Sequence, residues 1–485
     1  MSLSLMIVLL ALPFMGALLS TPTRGRDTDT LSLLVSFATM VLSLIVVFQS
    51  HLQKLYLSLI ELPWLPSAGK IFGFMIDPLS SLLLLVITII GFLVVCYSAN
   101  YLSSQNRDHA TTNGKGRYSF WLFLFIGSMI GVVISPNLLQ LFIFWELTSV
   151  CSWALISFYG KEKSVFAGYK ALLMTHLGGL FFMVALVIQY VHTHSFSFES
   201  LNGLPGGLKT TVFILLLAAA WAKSAQIPFY TWLPDAMEAP TPISAYLHAA
   251  AMVKAGVYLV ARVVVSTSDL SMVSGIIVAV MAIVTMLIGV FFFFFQDDLK
   301  KLLAYSTITH LAYILLGAGL GILGSAVGFT GGMLHIMCHA FAKALLFLSV
   351  GAIAYSTGVK SIKELSGLSS RMPLVTTAFF VGMLSVTGVP PFSCFWSKFF
   401  LLTGAISLGG LAGFFILVPF ILEAIVAFAW FIRVGQNVFF GEVSEKAIIA
   451  KDPPFLMSAT LIILMIFCVL APLIALPIVH NIRIH

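Results

Sequence analysis

Charged residues are scarce in this sequence. They make up 9% of its 485 residues, whereas soluble domains carry about 25%. The net charge of +7 is spread over single or paired lysines and arginines, so the basic run typical of nucleic-acid binding is missing. Hydrophobic residues reach 60%. This composition excludes a soluble enzyme domain and indicates a polytopic membrane protein.

Cysteine motifs are lacking as well. The five cysteines stand singly in apolar segments, without a CxxC pair or a Cys/His spacing that predicts a zinc, haem or iron–sulfur site. We therefore expect no cofactor and no metal, and interpret the thiols as small buried hydrophobes. These cysteines are Cys96, Cys151, Cys338, Cys394 and Cys468.

Long apolar runs dominate what is present. Runs of about 20 apolar residues predict fourteen membrane spans and an all-α polytopic membrane protein. The first run lacks a basic start and a small-residue cleavage site, so we expect it to be a retained helix. The spans lie near 2–20, 31–50, 73–100, 119–135, 138–159, 168–192, 210–239, 242–264, 272–294, 301–320, 327–356, 374–404, 410–437 and 454–477.

The placement of lysine and arginine predicts the orientation. One set of alternate loops holds 16 of the 25 basic residues, and four lysines lie inside spans. The opposite set holds five, namely Lys54, Lys70, Lys209, Arg262 and Arg483. Because basic loops stay in the cytoplasm, the even span count places both termini on the non-cytoplasmic side of the cell membrane.

Two spans are interrupted by proline. The seventh reads AKSAQIPFYTW and the twelfth reads TGVPPFSCFWSKFF, each with a nearby lysine, Lys223 or Lys398. They are five spans apart and so run in opposite directions, which indicates two inverted five-helix repeats with broken helices 7 and 12. The predicted division is an N-terminal segment, two repeats (spans 4–8 and 9–13) and a last helix, at 1–115, 116–265, 266–440 and 441–485.

Ionisable residues inside the spans carry the candidate chemistry, because a charge in lipid is costly and by default functional. Glu146 lies mid-span, and Lys223 precedes the break at Pro228. Lys254 lies deep in span eight, six residues after His248, about 240° around a continuous helix, so the two are expected on different faces. For His248, a proton relay and a structural histidine remain equally open.

The second half holds further candidates. Three polar residues recur at i, i+4 and i+8 and share one helix face: His335, His339 and Lys343. Without an HExxH glutamate they indicate a hydrated proton relay rather than zinc. Lys398 lies two turns past the second break, and His310 is a possible member of an axial polar track. Glu423 is either a relay or the structural partner of a base.

The chain resembles the antiporter-like family of complex I and Mrp antiporters. The resemblance rests on FWELTSVCSW, KSAQIPFYTWLPDAMEAPTPISAYLHAAAMVKAGVYLVAR, DLKKLLAYSTITHLAYI and HIMCHAFAKALLF, and is strongest to the Mrp A subunit. It implies fourteen helices with repeats at 4–8 and 9–13. It also implies a charge pair of Glu146 and Lys223, a relay of Lys254 and His248, eleventh-helix histidines His335 and His339, and a distal lysine, Lys398.

From these features we expect a proton-translocating subunit of a multisubunit Mrp-type Na⁺/H⁺ antiporter. Its partners would be other membrane subunits, its transported ions H⁺ and Na⁺, and nucleic acid would not be among its ligands. The alternative is the non-redox pumping subunit of a complex I-related dehydrogenase or membrane-bound hydrogenase. A quinone-binding redox subunit is disfavoured, since haem-ligand pairs, cysteine motifs and nucleotide loops are missing.

Overall fold

The computed structural model describes residues 2–61, 70–111 and 113–484, without the side chains of 58–61 and 70. The side chain of Lys70 therefore lies outside the described part. The helices are α1 (Leu3–Ser20), α2 (Gly25–Ser50), α3 (Pro78–Tyr101), α4 (Lys115–Ile134), α5 (Leu138–Ile156), α6 (Glu162–Thr193), α7 (Gly206–Lys223), α8 (Trp232–Asp235), α9 (Thr241–Ala249), α10 (Met252–Ser266), α11 (Met272–Phe291), α12 (Leu299–Ile322), α13 (Ala326–Thr357), α14 (Pro373–Thr387), α15 (Ser393–Ser407), α16 (Gly410–Phe439) and α17 (Phe455–Val479).

The predicted polytopic membrane fold is confirmed. Within the described residues, thirteen helical segments are long and apolar enough to cross a membrane, if α9 and α10 are counted as one segment, Thr241–Ser266. The remaining predicted span is divided between α14 and α15, of 15 residues each. Polar side chains cap several helix starts where the chain turns back. Asp77 accepts the amide of Ser80, and Asp298 accepts those of Lys300 and Lys301, which satisfies donors that a helix end leaves free.

A β-hairpin occupies the connection after α2, where the sequence indicated a loop followed by a membrane span from residue 73. Strands β1 (Leu55–Glu61) and β2 (Lys70–Ile76) pair antiparallel. The amide side chains of Asn137 and Gln140, at the start of α5, bond to the backbone of β2 at Ile71 and Gly73. Apolar runs alone do not distinguish a short strand from a helix end, so the hairpin was missed.

The seventh span is interrupted as predicted. α7 ends at Lys223, and Ala225 takes a left-handed conformation with φ of 49°. The indole of Trp232 donates to the carbonyl of Ala222 at 3.0 Å, and the side-chain Nε2 of Gln226 donates to the carbonyl of Ser224 at 2.9 Å. Protein groups thus satisfy the freed backbone, as a break at membrane depth requires.

The twelfth span is also interrupted as predicted. α14 ends at Thr387, followed by Gly388 with φ of 86°. Lys398 of α15 reaches back across the break, and its Nζ donates to the carbonyl of Thr387 at 3.3 Å. A Cβ on Gly388 would lie 2.9 Å from Cδ of Lys398, so glycine serves both the turn and the close approach.

A third interruption divides the predicted span 242–264, which was expected to be continuous. α9 ends at Ala249 and α10 begins at Met252, because Ala251, with φ of −106° and ψ of −118°, leaves the helical region. The angle derived between His248 and Lys254 therefore does not apply. Both side chains face α13 instead, with His248 against Phe347 and Lys254 bonded to His339.

The helix ends form two faces. On the first, which we call the basic face, the loop after α3 contacts the end of α13, and Asp108 pairs with Lys360 at 2.9 Å. Burial raises the pKa of Asp108, but the hydrogen bond from His109 and the charge of Lys360 outweigh it and lower that pKa to about 2. The second, the hairpin face, has Lys54 paired with Glu199 at 2.7 Å.

One basic residue lies elsewhere than expected. Arg262 was counted among the loop residues of the hairpin face, but its side chain is fully buried in α10. There it forms an ion pair with Asp77, the cap of α3, and donates to Ser80 and Tyr258. A charge taken out of water needs such partners, so this arginine is an internal tie between α3 and α10.

Candidate functional site

Glu146 lies on α5 at the edge of the molecule, against α6. Its Oε2 lies 2.8 Å from Nδ1 of His176, whose side chain is 58% exposed, while Oε1 is buried and has no partner among the described residues. A Cβ on Gly179 would lie only 2.2 Å from that Oε1. The missing side chain of Gly179 thus makes room for the carboxylate between the helices.

Lys223 is buried at the end of α7 and points at α5. Its Nζ donates to the carbonyl of Trp145 at 2.7 Å and to Oγ of Ser149 at 2.6 Å, and it lies 4.9 Å from the Trp145 ring centroid. These two residues flank Glu146 along α5, but Lys223 and Glu146 form no ion pair. The ammonium is therefore held by neutral groups beside a carboxylate that bonds elsewhere.

Lys254 begins a row of buried histidines at the centre of the molecule, in which His339 and His310 stack without a hydrogen bond and Nε2 of His339 has no partner among the described residues. Its Nζ lies 3.0 Å from Nδ1 of His339 and donates to the carbonyl of Ile336 at 3.1 Å. The ring of His339 lies 5.3 Å from that of His310. Nδ1 of His310 is 3.0 Å from Nε2 of His335.

The chain continues into the second broken span. Nδ1 of His335 lies 2.7 Å from Oγ of Ser397, the residue before Lys398. Nζ of Lys398 lies 4.8 Å from the ring centroid of Tyr313, and the hydroxyl of Tyr313 donates to Glu423. Lys398 and Glu423 are both buried and are connected through this tyrosine. Polar groups therefore link α10, α13, α12 and α15 in one buried network.

Two predicted residues lie beside this network, toward the basic face. Lys343 lies four residues after His339 on α13. Its Nζ donates to Oγ of Ser306 at 2.7 Å and to the carbonyl of Leu303 at 3.3 Å. Neither ring nitrogen of His248 has a hydrogen-bond partner among the described residues, although both are buried. Buried polar atoms of this kind are normally satisfied by water.

The structure adds residues that the sequence did not single out. His176 was recognisable as a lone histidine in an apolar span. Gln226 lies inside the first break, where its Nε2 also donates to the carbonyl of Ile308 at 3.3 Å and its Oε1 has no recorded partner. The serines that bond Lys223, Lys343 and His335 were not distinctive, because serine is common in membrane helices and only packing shows which ones face a base.

Metal coordination finds no support in the arrangement of these side chains. Within the ranges that the structure describes, no group of three or more His, Cys, Asp or Glu side chains is placed to hold an ion. Instead, His310 and His335 direct nitrogens at each other. A neutral imidazole offers one donor and one acceptor, so these two rings are arranged as a hydrogen-bonded pair.

Comparison with known families identifies the same core. The family described as "NADH:quinone oxidoreductase/Mrp antiporter, TM" matches residues 135–423, which is more than half of the chain. A second family, "NADH-Ubiquinone oxidoreductase (complex I), chain 5 N-terminus", matches residues 64–110. The first match spans every candidate residue from Glu146 to Glu423.

The curated relatives include NAD(P)H-quinone oxidoreductase subunits and Na⁺/H⁺ antiporter subunits. The chloroplastic NAD(P)H-quinone oxidoreductase subunit 5 of Chaetosphaeridium globosum is 36% identical over 395 residues, 77% of this chain and 57% of that protein. The Na⁺/H⁺ antiporter subunit A1 of Staphylococcus aureus (strain MRSA252) is 36% identical over 415 residues, 80% of this chain and 51% of that protein. The chain thus spans about half the length of the curated relatives it matches.

Solved structures share the whole fold. A chain of the Mrp complex from Dietzia sp. DQ12-45-1b matches with a TM-score of 0.86 at 29% identity, covering 98% of this chain and 51% of that one. A chain of the archaeal membrane-bound sulfane sulfur reductase has a similar fold, with a TM-score of 0.85 at 21% identity, covering 98% and 96%. The resemblance found in the sequence motifs is confirmed, and this chain belongs to the NADH:quinone oxidoreductase/Mrp antiporter membrane family.

Proposed function

We propose that this chain translocates protons as one subunit of a multisubunit membrane complex. The observation that carries the proposal is the buried chain from Lys254 through His339, His310 and His335 to Ser397, whose members hydrogen-bond or lie ring against ring. Imidazole and hydroxyl groups accept one proton while releasing another, so such a chain conducts protons across an apolar interior.

Glu146 would control the first lysine. Its carboxylate lies on α5 next to Trp145 and would favour an ammonium on Lys223, although His176 is its bonded partner. When Glu146 is neutralised, Lys223 retains only the carbonyl of Trp145 and the hydroxyl of Ser149. A buried ammonium without an opposite charge is costly, so the proton leaves Lys223 toward Lys254.

At the far end, Lys398 would load or release the proton. Its neighbours Tyr313 and Glu423 place an acidic group within the same buried cluster, and its Nζ rests on the freed carbonyl of Thr387. Lys343 and His248 would form a hydrated branch toward the basic face. The two broken helices then mark the ends of two half-channels, in two inverted repeats at residues 116–265 and 266–440.

Sodium exchange is the whole-complex activity that we propose, as in Mrp-type antiporters. The lysines would carry protons rather than Na⁺, because a cationic side chain repels a cation, and a carboxylate site for Na⁺ would lie on another subunit. The alternative is a pumping subunit in a complex I-related enzyme, which the relative named as an NAD(P)H-quinone oxidoreductase subunit supports. In both cases this chain performs the proton transfer.

The test uses the complex that co-purifies with this chain, reconstituted in vesicles. Lys223→Ala should reduce proton flux to the level of empty vesicles, since the first proton acceptor is lost. Lys163→Ala, at an exposed position of α6 on the basic face, is the matched control and should leave flux unchanged. Unchanged flux in an assembled Lys223→Ala complex would refute the role of this lysine. Flux driven by a Na⁺ gradient supports the antiporter, and flux that requires a reduced nicotinamide or ferredoxin supports the alternative.

A partner subunit would cover α6. His176 lies near the middle of this helix, among Leu173, Leu177 and Leu180, whose exposed fractions are 67%, 43% and 44%. The acyl chains of lipid cannot form a hydrogen bond with an imidazole that is paired with a carboxylate. We therefore expect this side of α6 to pack against another membrane protein. The relatives of known structure are themselves chains of multisubunit membrane complexes.

The basic face would lie in the cytoplasm, with both termini outside. This orientation follows from the loop asymmetry, with Arg262 now removed from the smaller set because it is buried. A cysteine introduced at Lys163 should resist a membrane-impermeant maleimide in intact cells and react after lysis. Labelling of intact cells at that position would reverse the orientation.

A further inference from the structure

A cavity of about 670 Å³ opens on the basic face, away from the proton chain. Arg107 lines it from the loop after α3, Tyr355 and Ser356 from the end of α13, and Lys451 and Pro454 from the segment before α17. Backbone bonds hold these walls together. The amide of Arg107 donates to the carbonyl of Tyr355 at 3.1 Å, and that of Lys451 donates to Oγ of Ser356 at 2.9 Å. The cavity is therefore built from three elements of the core.

Two cationic side chains of the cavity have no partner among the described residues. Arg107 and Lys451 are exposed, and the described part of the structure records no ion pair or hydrogen bond for either side chain. Asp452 is the acidic residue of the wall, but its two oxygens accept the amides of Leu374 and Val375 at 3.2 Å each. Other lysines of this face are paired with aspartates, namely Lys115, Lys170 and Lys360. Two cations therefore stand against one carboxylate, and the net charge of the cavity wall is positive.

An apolar strip leads from the cavity along α17. Phe455, which directly follows Pro454, is 81% exposed, and Ile462 and Ile466 continue on the same side of the helix with 44% and 53%. Residues seven and eleven positions on lie within about 20° of the starting direction on a helix. A soluble anion would gain nothing from such a strip, whereas a lipid would use both the charge and the apolar surface.

We propose that this cavity binds the headgroup of an anionic phospholipid. Its phosphate would lie between Arg107 and Lys451, with Ser104 and Gln105 in the same wall as neutral hydrogen-bonding groups. The acyl chains would run along the exposed side of α17. None of the residues of the proton chain lines the cavity, so the lipid site is separate from the proposed transport path.

The test measures lipid retention by the purified full-length chain, released from detergent and analysed by native mass spectrometry. With equal phosphatidylglycerol and phosphatidylcholine, the protein should keep the anionic lipid preferentially. Substituting Arg107→Gln and Lys451→Gln together should weaken this binding by about fivefold for each cation removed. The matched control is Lys163→Gln with Lys446→Gln, which removes two exposed cations outside the cavity and should retain the lipid.

Two further measurements distinguish the outcomes. Equal thermal unfolding of both double variants in lipid-free detergent ensures that loss of lipid reflects loss of the site. Inorganic phosphate is then added as a competitor. Phosphatidylglycerol that stays bound in the presence of phosphate supports a lipid site. If inorganic phosphate displaces the lipid, the cavity is a site for a soluble anion and the proposal is overturned. Wild-type retention by the Arg107→Gln, Lys451→Gln protein would overturn it as well.

Discussion

At the residue scale, the buried lysines share one kind of environment. Lys223, Lys254, Lys343 and Lys398 each donate to at least one backbone carbonyl, and none forms an ion pair among the described residues. A lysine held only by neutral groups changes its charge when a distant charge moves. The arginine in the interior, Arg262, instead contacts its carboxylate directly. Among these buried bases, the arginine has a direct counter-charge and the four lysines have none in the described part of the chain.

The position of Glu146 depends on a glycine, which gives a sharp test. Gly179→Ala should displace the Glu146 carboxylate, because the new Cβ would lie 2.2 Å from Oε1. Proton flux in the vesicle assay should then fall, with assembly preserved, and we expect the same loss for Glu146→Gln. The control Gly207→Ala places a Cβ in open space near the start of α7 and should keep full flux. Normal flux in Gly179→Ala would show that proton transfer does not depend on the exact position of the Glu146 carboxylate.

The sequence was sufficient to identify most of the titratable side chains, though not His176, and it did not identify their partners. Each lysine or histidine was conspicuous because a polar residue in an apolar run is costly. The contact of Glu146 with His176 rather than with Lys223 depends on how α5, α6 and α7 pack, which no local pattern encodes. The same holds for Ser397, which is one serine among many until His335 is brought against it.

At the scale of elements, α13 organises the candidate site. This 32-residue helix is buried over most of its length and carries His335, His339 and Lys343 along the side that meets α12. The spacing of these three residues was recognisable in the sequence, because polar residues at i, i+4 and i+8 must lie on one face of a helix. The break between α9 and α10 was not, since it contains alanines rather than proline or glycine. Tertiary packing there outweighs helix propensity.

The ion pair that ties α3 to α10 should be among the strongest single contacts. Asp77→Asn keeps an oxygen that can accept the amide of Ser80 but leaves Arg262 buried without its counter-charge. Removing one partner of a buried pair costs about 3 kcal/mol or more. Thermal unfolding in detergent should therefore occur at a clearly lower temperature.

The matched control is Glu199→Gln, which removes a half-exposed pair with Lys54, side chains 46% and 44% exposed. Exposed pairs contribute about 1 kcal/mol or less, so its unfolding temperature should change little. Equal shifts for both variants would contradict the assignment of Arg262 as an internal tie.

At the scale of the whole molecule, the outward-facing sides of α2 and α6 differ in polarity. The exposed side of α2 is apolar around Leu34, whereas that of α6 carries His176 among its leucines. A photo-cross-linking amino acid at Leu173, 67% exposed, should therefore capture a co-purifying membrane subunit. The same group at Leu34, 63% exposed, should capture lipid. Capture of lipid alone at Leu173 would argue against a partner on α6.

The interruption within the eighth span has a consequence for how this molecule tolerates change. In an unbroken helix, adding or deleting one residue turns everything beyond it by about 100°. Ala250 and Ala251 lie outside both α9 and α10, so the direction of His248 is set by its own short helix and that of Lys254 by the next. A substitution that reorients one of these helices need not rotate the other group, whereas the joint itself is fully buried and has no room for an added residue.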